Sequence, residues 1–368
     1  MAFAAAIAAG TDWQTAAAGI AEQLAGKTDG HQMGFIYATD VLAETLDPVL
    51  DMLKQETGIM DWTGTTGYGV CGGGESHFDI PALSVMTCDF AASDYQLFSP
   101  SGERAALEAG GWEESFAPPL VVAHGDPGSE NLLQAMTCTA ATTGGFLIGG
   151  LTASRGRSRQ IAGRMISGGL SGLMLSPEIE AVSGLSQGCT PIGPLHTITE
   201  SVEHILMTLD DRPALEVMKE DMGELLSRDL HQIGGLIHVA LPISGSDTGD
   251  YVVRTLVALD PERSLVAIGD QVEDGDRMMF VRRDPEGAEE DMQRMLADIA
   301  RRLESRQPRG ALYYSCIARG PGLFADPHFE AKAIREQFGD IPLTGFFGNG
   351  EISNNRLYSY TGVLTLLM

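Results

Sequence analysis

The sequence predicts an α/β chain, with α+β as the alternative, built as two related domains over residues 1–185 and 186–368, each a mixed β-sheet packed with helices. Three observations predict it. Short apolar runs alternate with amphipathic segments of helix length, the pattern that strands and helices leave when both face a core. A length of 368 residues favours two domains over one. Each half also places a strand, a helix and a glycine-terminated strand in the same order, as an internal duplication would.

The Ala-rich start reads as a strand over residues 3–9 and a helix over 12–24, and a second strand over 31–37 follows. Asp40 stands where it can cap a helix over 41–55, whose Leu42, Leu46, Leu50 and Leu53 share one face. One strand is expected over 62–71, opening into Gly72, Gly73 and Gly74, then a strand over 80–86 and a short helix over 104–109. Residues 120–123 are all apolar, which implies burial on both faces, and the turn after His124 leads into a helix over 130–139. Residues 146–151, 160–166 and 172–175 read as an antiparallel series, and 177–188 as the passage between domains, where apolar periodicity lapses.

In the second half, strands are expected over 204–209, 236–241, 252–259, 264–268 and 277–282, with a helix over 214–226 and a turn over 244–250. The stripe Met292, Met295, Leu296, Ile299 and Leu303 marks a helix over 285–303, its methionines reading as core filler. A strand over 311–316 and a helix over 328–338 lead to Leu343-Thr344-Gly345-Phe346-Phe347-Gly348-Asn349-Gly350-Glu351-Ile352 and a last strand over 360–367. An apolar run that breaks into a glycine-rich turn bearing an amide and a carboxylate reads as strand, site-forming loop, strand.

That stretch has a looser copy over residues 61–75, where Tyr68 and Cys71 precede Gly72-Gly73-Gly74-Glu75. With Gly188-Cys189-Thr190-Pro191-Ile192-Gly193-Pro194 and Asp210-Asp211-Arg212-Pro213-Ala214 in mid-chain, it resembles FIST proteins, in which an N-terminal and a C-terminal FIST domain stand in tandem. The resemblance implies bacterial signal sensing by small-molecule binding, often beside sensor kinases or chemotaxis components. One subgroup resembles haem-containing nitric-oxide sensors, and some eukaryotic relatives are F-box adaptors.

A net charge of -26 excludes a nucleic-acid surface and disfavours anionic membranes. The acidity reads as a solubility adaptation, with a basic protein partner as the alternative. No apolar run reaches the length of a membrane span, so no membrane insertion is expected. Five scattered cysteines without a C-x-x-C pair fit a reducing cytoplasm. Arg155, Arg157, Arg159 and Arg164 form the one dense basic patch, read as a solvated hairpin or else as a contact for an anion or partner.

Cys316 and Arg319 stand where a buried strand enters a turn, and the guanidinium is expected to lower the thiol pKa. Asn349 and Glu351 offer an amide and a carboxylate that match the ends of an amino-acid-like ligand if Arg319 faces them. Tyr68, Cys71 and Glu75 are the equivalent trio in the first half. If haem is the cofactor, His77 and His238 are the leading ligands, followed by His124, His204 and His328. G-x-S-x-G, Walker and H-E-x-x-H signatures are absent, which leaves a Cys316-dependent enzyme as the enzymatic alternative. The leading expectation is a cytoplasmic, non-enzymatic sensor that binds a small molecule and acts through a separate protein such as a histidine kinase.

Overall fold

Three stretches of the chain follow one plan in the computed structural model, which describes residues 2–100, 112, 117–227, 235–243 and 250–368. The first runs β1 (Phe3–Ala9), α1 (Trp13–Leu24), β2 (Met33–Thr39), α2 (Leu46–Thr57), β3 (Asp61–Gly67), a hairpin of β4 (Gly69–Gly72) and β5 (Glu75–Phe78), and β6 (Ala82–Cys88). The second runs β7 (Tyr95–Phe98), β8 (Leu120–Gly125), α3 (Leu132–Thr143), β9 (Phe146–Leu151), a hairpin of β10 (Gln160–Ala162) and β11 (Arg164–Ile166), and β12 (Leu170–Leu175). The third opens with β13 (Ala181–Gln187) and is then interrupted. The interruption holds β14 (Cys189–Pro191), β15 (His196–Val202), β16 (Ile205–Leu209), β17 (Arg212–Pro213), α4 (Ala214–Ser227), β18 (Ile237–Pro242), β19 (Tyr251–Asp260), β20 (Leu265–Ile268) and β21 (Arg277–Arg283). The third stretch resumes with α5 (Pro285–Leu303), β22 (Gly310–Cys316), α6 (Phe329–Phe338), β23 (Leu343–Gly348), a hairpin of β24 (Glu351–Ser353) and β25 (Arg356–Tyr358), and β26 (Thr361–Leu367).

Each stretch builds four strands in the same order: β1-β6-β2-β3, β7-β12-β8-β9 and β13-β26-β22-β23. Within each, one pair is parallel (β2 with β3, β8 with β9, β22 with β23) and the returning strand is antiparallel to its inner neighbour. Every hairpin leaves its own stretch to extend another sheet. β4 pairs with β23, β10 with β3, and β24 with β9, so the exchange runs in a cycle.

One glycine recurs at the same place in all three. A Cβ on Gly64, Gly149 or Gly345 would lie 1.7, 1.9 or 1.8 Å from the carbonyl oxygen of Ile36, Ala123 or Tyr313 on the paired parallel strand. Only glycine permits that approach. From this anchor the register aligns Tyr37, His124 and Tyr314, which meet in the core: Tyr37 Oη lies 3.0 Å from Tyr314 Oη and 3.2 Å from His124 Nε2. Burial pushes the His124 pKa down to about 3, so the ring is a neutral partner.

The chain is therefore a mixed α/β protein with related parts. Contacts group residues 1–186 and 292–368 into one compact unit and 187–291 into another. Residues 292–368, which the sequence assigns to the second half, thus fold with the first. In the smaller unit β21-β15-β16-β20-β19-β18 closes on itself through β18 with β21, an antiparallel barrel around Ile198, Leu206, Val239, Val266 and Phe280.

Several expectations need correction. The single strand over 62–71 is two, β3 and β4, in different sheets. Gly67 makes the crossing possible, because a Cβ there would sit 2.7 Å from Phe347 O. The passage expected over 177–188 is largely the edge strand β13, whose uneven burial hides strand periodicity. The antiparallel series fails as well: β9 is parallel to β8, and β10 joins β3.

The helix over 41–55 begins as a 3-10 turn, Asp40–Thr45, and Asp40 accepts from Arg155 rather than capping. Arg155 also donates to Asp79, and Arg159 lies 3.5 Å from Glu44, so these two arginines of the basic patch are paired. The helix over 104–109 and most of the turn over 244–250 lie outside the described residues.

Candidate functional site

The first turn of α6 delivers a carboxylate into the core, and the end of β22 delivers a guanidinium to meet it. Glu330 Oε1 accepts from Arg319 Nε at 2.7 Å, from Tyr313 Oη at 2.6 Å and from Ser315 Oγ at 3.0 Å. Arg319 is 0 % and Glu330 2 % exposed. Such a pair survives burial only because its charges and hydrogen bonds are matched. Arg319 also stands 5.3 Å from the Phe324 ring centroid, and its Nη2 lies 3.4 Å from Ser186 Oγ.

Glu351 opens β24 beside this pair and is fully buried. Its Oε2 accepts from Thr361 Oγ1 at 2.7 Å and Thr361 N at 3.2 Å. Burial pushes its carboxyl well above the usual carboxylate range, Thr361 and Arg319 pulling the other way. Two atoms of the cluster have no partner among the described residues: Glu351 Oε1 and Arg319 Nη1. Each orphan costs about 1–3 kcal/mol in folding.

Of the residues singled out in the sequence, the fold brings Cys316, Arg319 and Glu351 into one electrostatic neighbourhood. Cys71 joins them through Glu330, because β4 lies against β23 with Cys71 opposite Gly345. Asn349 is next to Gly348, the register partner of Cys316, but it is exposed, and its Nδ2 lies 3.5 Å from Thr152 O. Tyr68 and Glu75 stand apart: Arg155 lies over the Tyr68 ring at 5.6 Å, and exposed Glu75 pairs with His77 at 3.5 Å.

The expected activation of Cys316 is reversed. Burial pushes its thiol up, Glu351 adds to this, and the opposing pull of Arg319 is the weaker effect. A thiol held in its neutral form is a poor nucleophile.

The sequence reading missed Glu330, Tyr313, Ser315 and Thr361. Glu330 had a visible signal: it lies four residues before Ile334, on the buried stripe of α6.

The proposed haem ligands do not build a haem site. His238 is fully buried on β18 with its pKa pushed down to about 4 by burial, and His77 is half-buried beside Glu75. His77 borders neither the cavity of about 410 Å³ nor that of about 310 Å³ in the larger unit. His204 is exposed, His124 is held by Tyr37, and His328 Nδ1 accepts from Ser76 N. The residues therefore do not fit the group.

The molecule is thus a repeated α/β scaffold that encloses a charged, partly unsatisfied cluster in its core. The FIST N domain matches residues 32–212 and the FIST C domain residues 214–354. The chain belongs to the FIST family, whose domains are sensory modules of signal transduction.

It is 31% identical over 349 residues to an uncharacterised protein of Mycobacterium bovis, covering 90% of this chain and 88% of that one. It is 34% identical over 237 residues to an uncharacterised protein of Mycobacterium tuberculosis H37Rv, covering 61% of this chain. The matched region spans 60% of the length of that relative. Among the described residues, no helix is long and apolar enough to cross a membrane.

Proposed function

We propose that this protein is a cytoplasmic sensor that binds a small polar molecule at the Arg319–Glu351 cluster and passes its state to a separate signalling protein, such as a histidine kinase. The observation that carries the reading is the pair of orphans, Arg319 Nη1 and Glu351 Oε1, fully buried in one cluster. One is a donor and the other an oxygen, so they call for a ligand group with an acceptor beside a donor, such as a carboxylic acid, an amide or the end of an amino acid. Cys316 and Cys71 supply soft walls, and exposed Asn349 marks the loop through which such a molecule enters.

Isothermal titration of the purified protein against amino acids, amides and short carboxylic acids tests this. Saturable binding that Glu351→Gln weakens at least about tenfold, worth about 1.4 kcal/mol, is expected. Binding that ignores the substitution sends the ligand elsewhere. The haem alternative has its own readout: a Soret band on freshly purified protein would restore it against the misfit of His77 and His238.

A further inference from the structure

The terminal strand of the first sheet is unfinished. Among the described residues, β1 has β6 on one side and no strand on the other. At Ile7 the outer side is closed by a side chain: Gln23 Nε2 donates to Ile7 O at 2.8 Å, and Gln23 Oε1 accepts from Ile7 N at 3.3 Å. One amide thus does for Ile7 what a neighbouring strand would do.

Main-chain direction alternates along a strand, so Phe3 and Ala5 present their N–H and C=O to the same outer side as Ile7. Among the described residues nothing closes them. They face a cavity of about 410 Å³ walled across from β1 by Ala331, Ile334, Pro342 and Leu343. That volume lies within the range of functional binding clefts.

The corresponding edge of the third stretch is finished differently. There the outer carbonyls of β13 are taken by the helix that follows: Arg302 Nη2 donates to Ser183 O at 2.5 Å and Arg294 Nη2 lies 3.4 Å from Leu185 O. α1 occupies the same place in the first stretch, and the residues on it that reach this side are Gln23 and, just beyond its end, Lys27. Lys27 and Arg335 put two exposed cations on the rim of the cavity in a chain of net charge -26, with Asp340 bonded to Arg335.

We infer that this groove is a docking site for an extended, acidic peptide segment of a partner protein, which adds to β1 as a further strand at Phe3 and Ala5. The main chain of the segment takes the four open hydrogen-bonding groups, alternate side chains lie on Ile334 and Pro342, and a carboxylate meets Lys27 and Arg335. Gln23 ends the ladder and so sets its register. The surface is separate from the Arg319–Glu351 cluster, so it stands or falls independently of the ligand proposed there.

Selection of phage-displayed random heptapeptides on the wild-type protein, counter-selected on Ala5→Pro, tests it. Proline at an outward-facing position of an edge strand removes the N–H a peptide needs and leaves the β1–β6 ladder intact, which a circular-dichroism melt checks. The expected result is a family of Asp- or Glu-bearing, strand-forming peptides. Their fluorescence-polarisation affinity should drop at least tenfold on Ala5→Pro and three- to tenfold on Lys27→Glu, the second variant standing in should the first fail to fold. Binding should protect the amides of Phe3 and Ala5 from hydrogen exchange. Absence of enrichment on the wild type, enriched peptides indifferent to both substitutions, or a self-associated protein that Ala5→Pro turns into monomers, which would make a second copy the occupant, each overturns the assignment.

Discussion

Three hairpin positions that the fold treats alike are filled by three different chemistries. Val70, Gln160 and Glu351 sit opposite Phe346, Thr65 and Gly150, which are themselves aligned by their pairing with Tyr314, Tyr37 and His124. All three are fully buried. Val70 belongs to the apolar core, and Gln160 is satisfied, its amide donating to Gly169 O and accepting from Ser171 Oγ. Glu351 repeats half of that pattern through Thr361 and leaves one oxygen unused. Since valine and glutamine serve the same place, the scaffold does not require a carboxylate there. That departure from the pattern is the ground on which a ligand at Glu351 is proposed.

The comparison can be broken most forcefully at its cation. Arg319→Ala strands Glu330 in the core without its counter-charge, and a loss of about 3–5 kcal/mol in urea-unfolding stability is expected. Next comes the transplant: Gln160→Glu gives the second stretch the carboxylate of the third with no Arg319 beside it, and should destabilise by about 1–3 kcal/mol. If Gln160→Glu proves neutral, buried carboxylates at this position are harmless, and the orphan of Glu351 loses its meaning.

The reverse change, Glu351→Gln, should stabilise the free protein by about 1 kcal/mol while weakening ligand binding. It should also flatten the pH profile. Because the folded carboxyl titrates above its unfolded value of 4.5, the folded state holds the proton more tightly. Glu351 therefore favours folding below that value, and its contribution is lost as pH rises through the folded pKa. The melting temperature of the wild type should fall relative to Glu351→Gln as pH rises above the unfolded value of 4.5.

The smallest effect belongs to the other unit. His196 is held between Asp210 at 2.6 Å and Asp221 at 2.9 Å, hydrogen bonds that outweigh the opposing effect of burial and raise its pKa. That bracket stabilises below about pH 6.5 and fades as pH climbs through the folded value, by at most about 1 kcal/mol at so exposed a partner as Asp210. Asp210→Asn should remove most of this dependence, read by thermal melts at the two pH extremes.

Much of the layout was legible in the sequence. Strands, helices and the recurrence of strand, helix and glycine-terminated strand follow from periodicity, and the site loop from Gly345 to Glu351 stands out by composition. The middle copy did not, because Gly149 and Gly150 are followed by an eight-residue excursion, Thr152 to Arg159, before their hairpin, so the glycine signature is diluted. Hairpin exchange was invisible for a physical reason: local pattern specifies that β4 is a strand but not which sheet receives it. Cys316, Arg319 and Glu351 were found as chemistry at the end of a strand. Glu330 was overlooked because an acidic residue in the first turn of a helix reads as an ordinary dipole partner.

The cyclic hairpin exchange also constrains the birth of the molecule on the ribosome. β9 emerges long before β24, the strand that covers its flank, and β23 pairs with β4 from far upstream in the chain. Until residues 351–358 leave the exit tunnel, a nascent chain exposes an uncovered strand of the kind that recruits neighbours. Stalling just short of that hairpin should therefore leave β9 open to pairing with another chain.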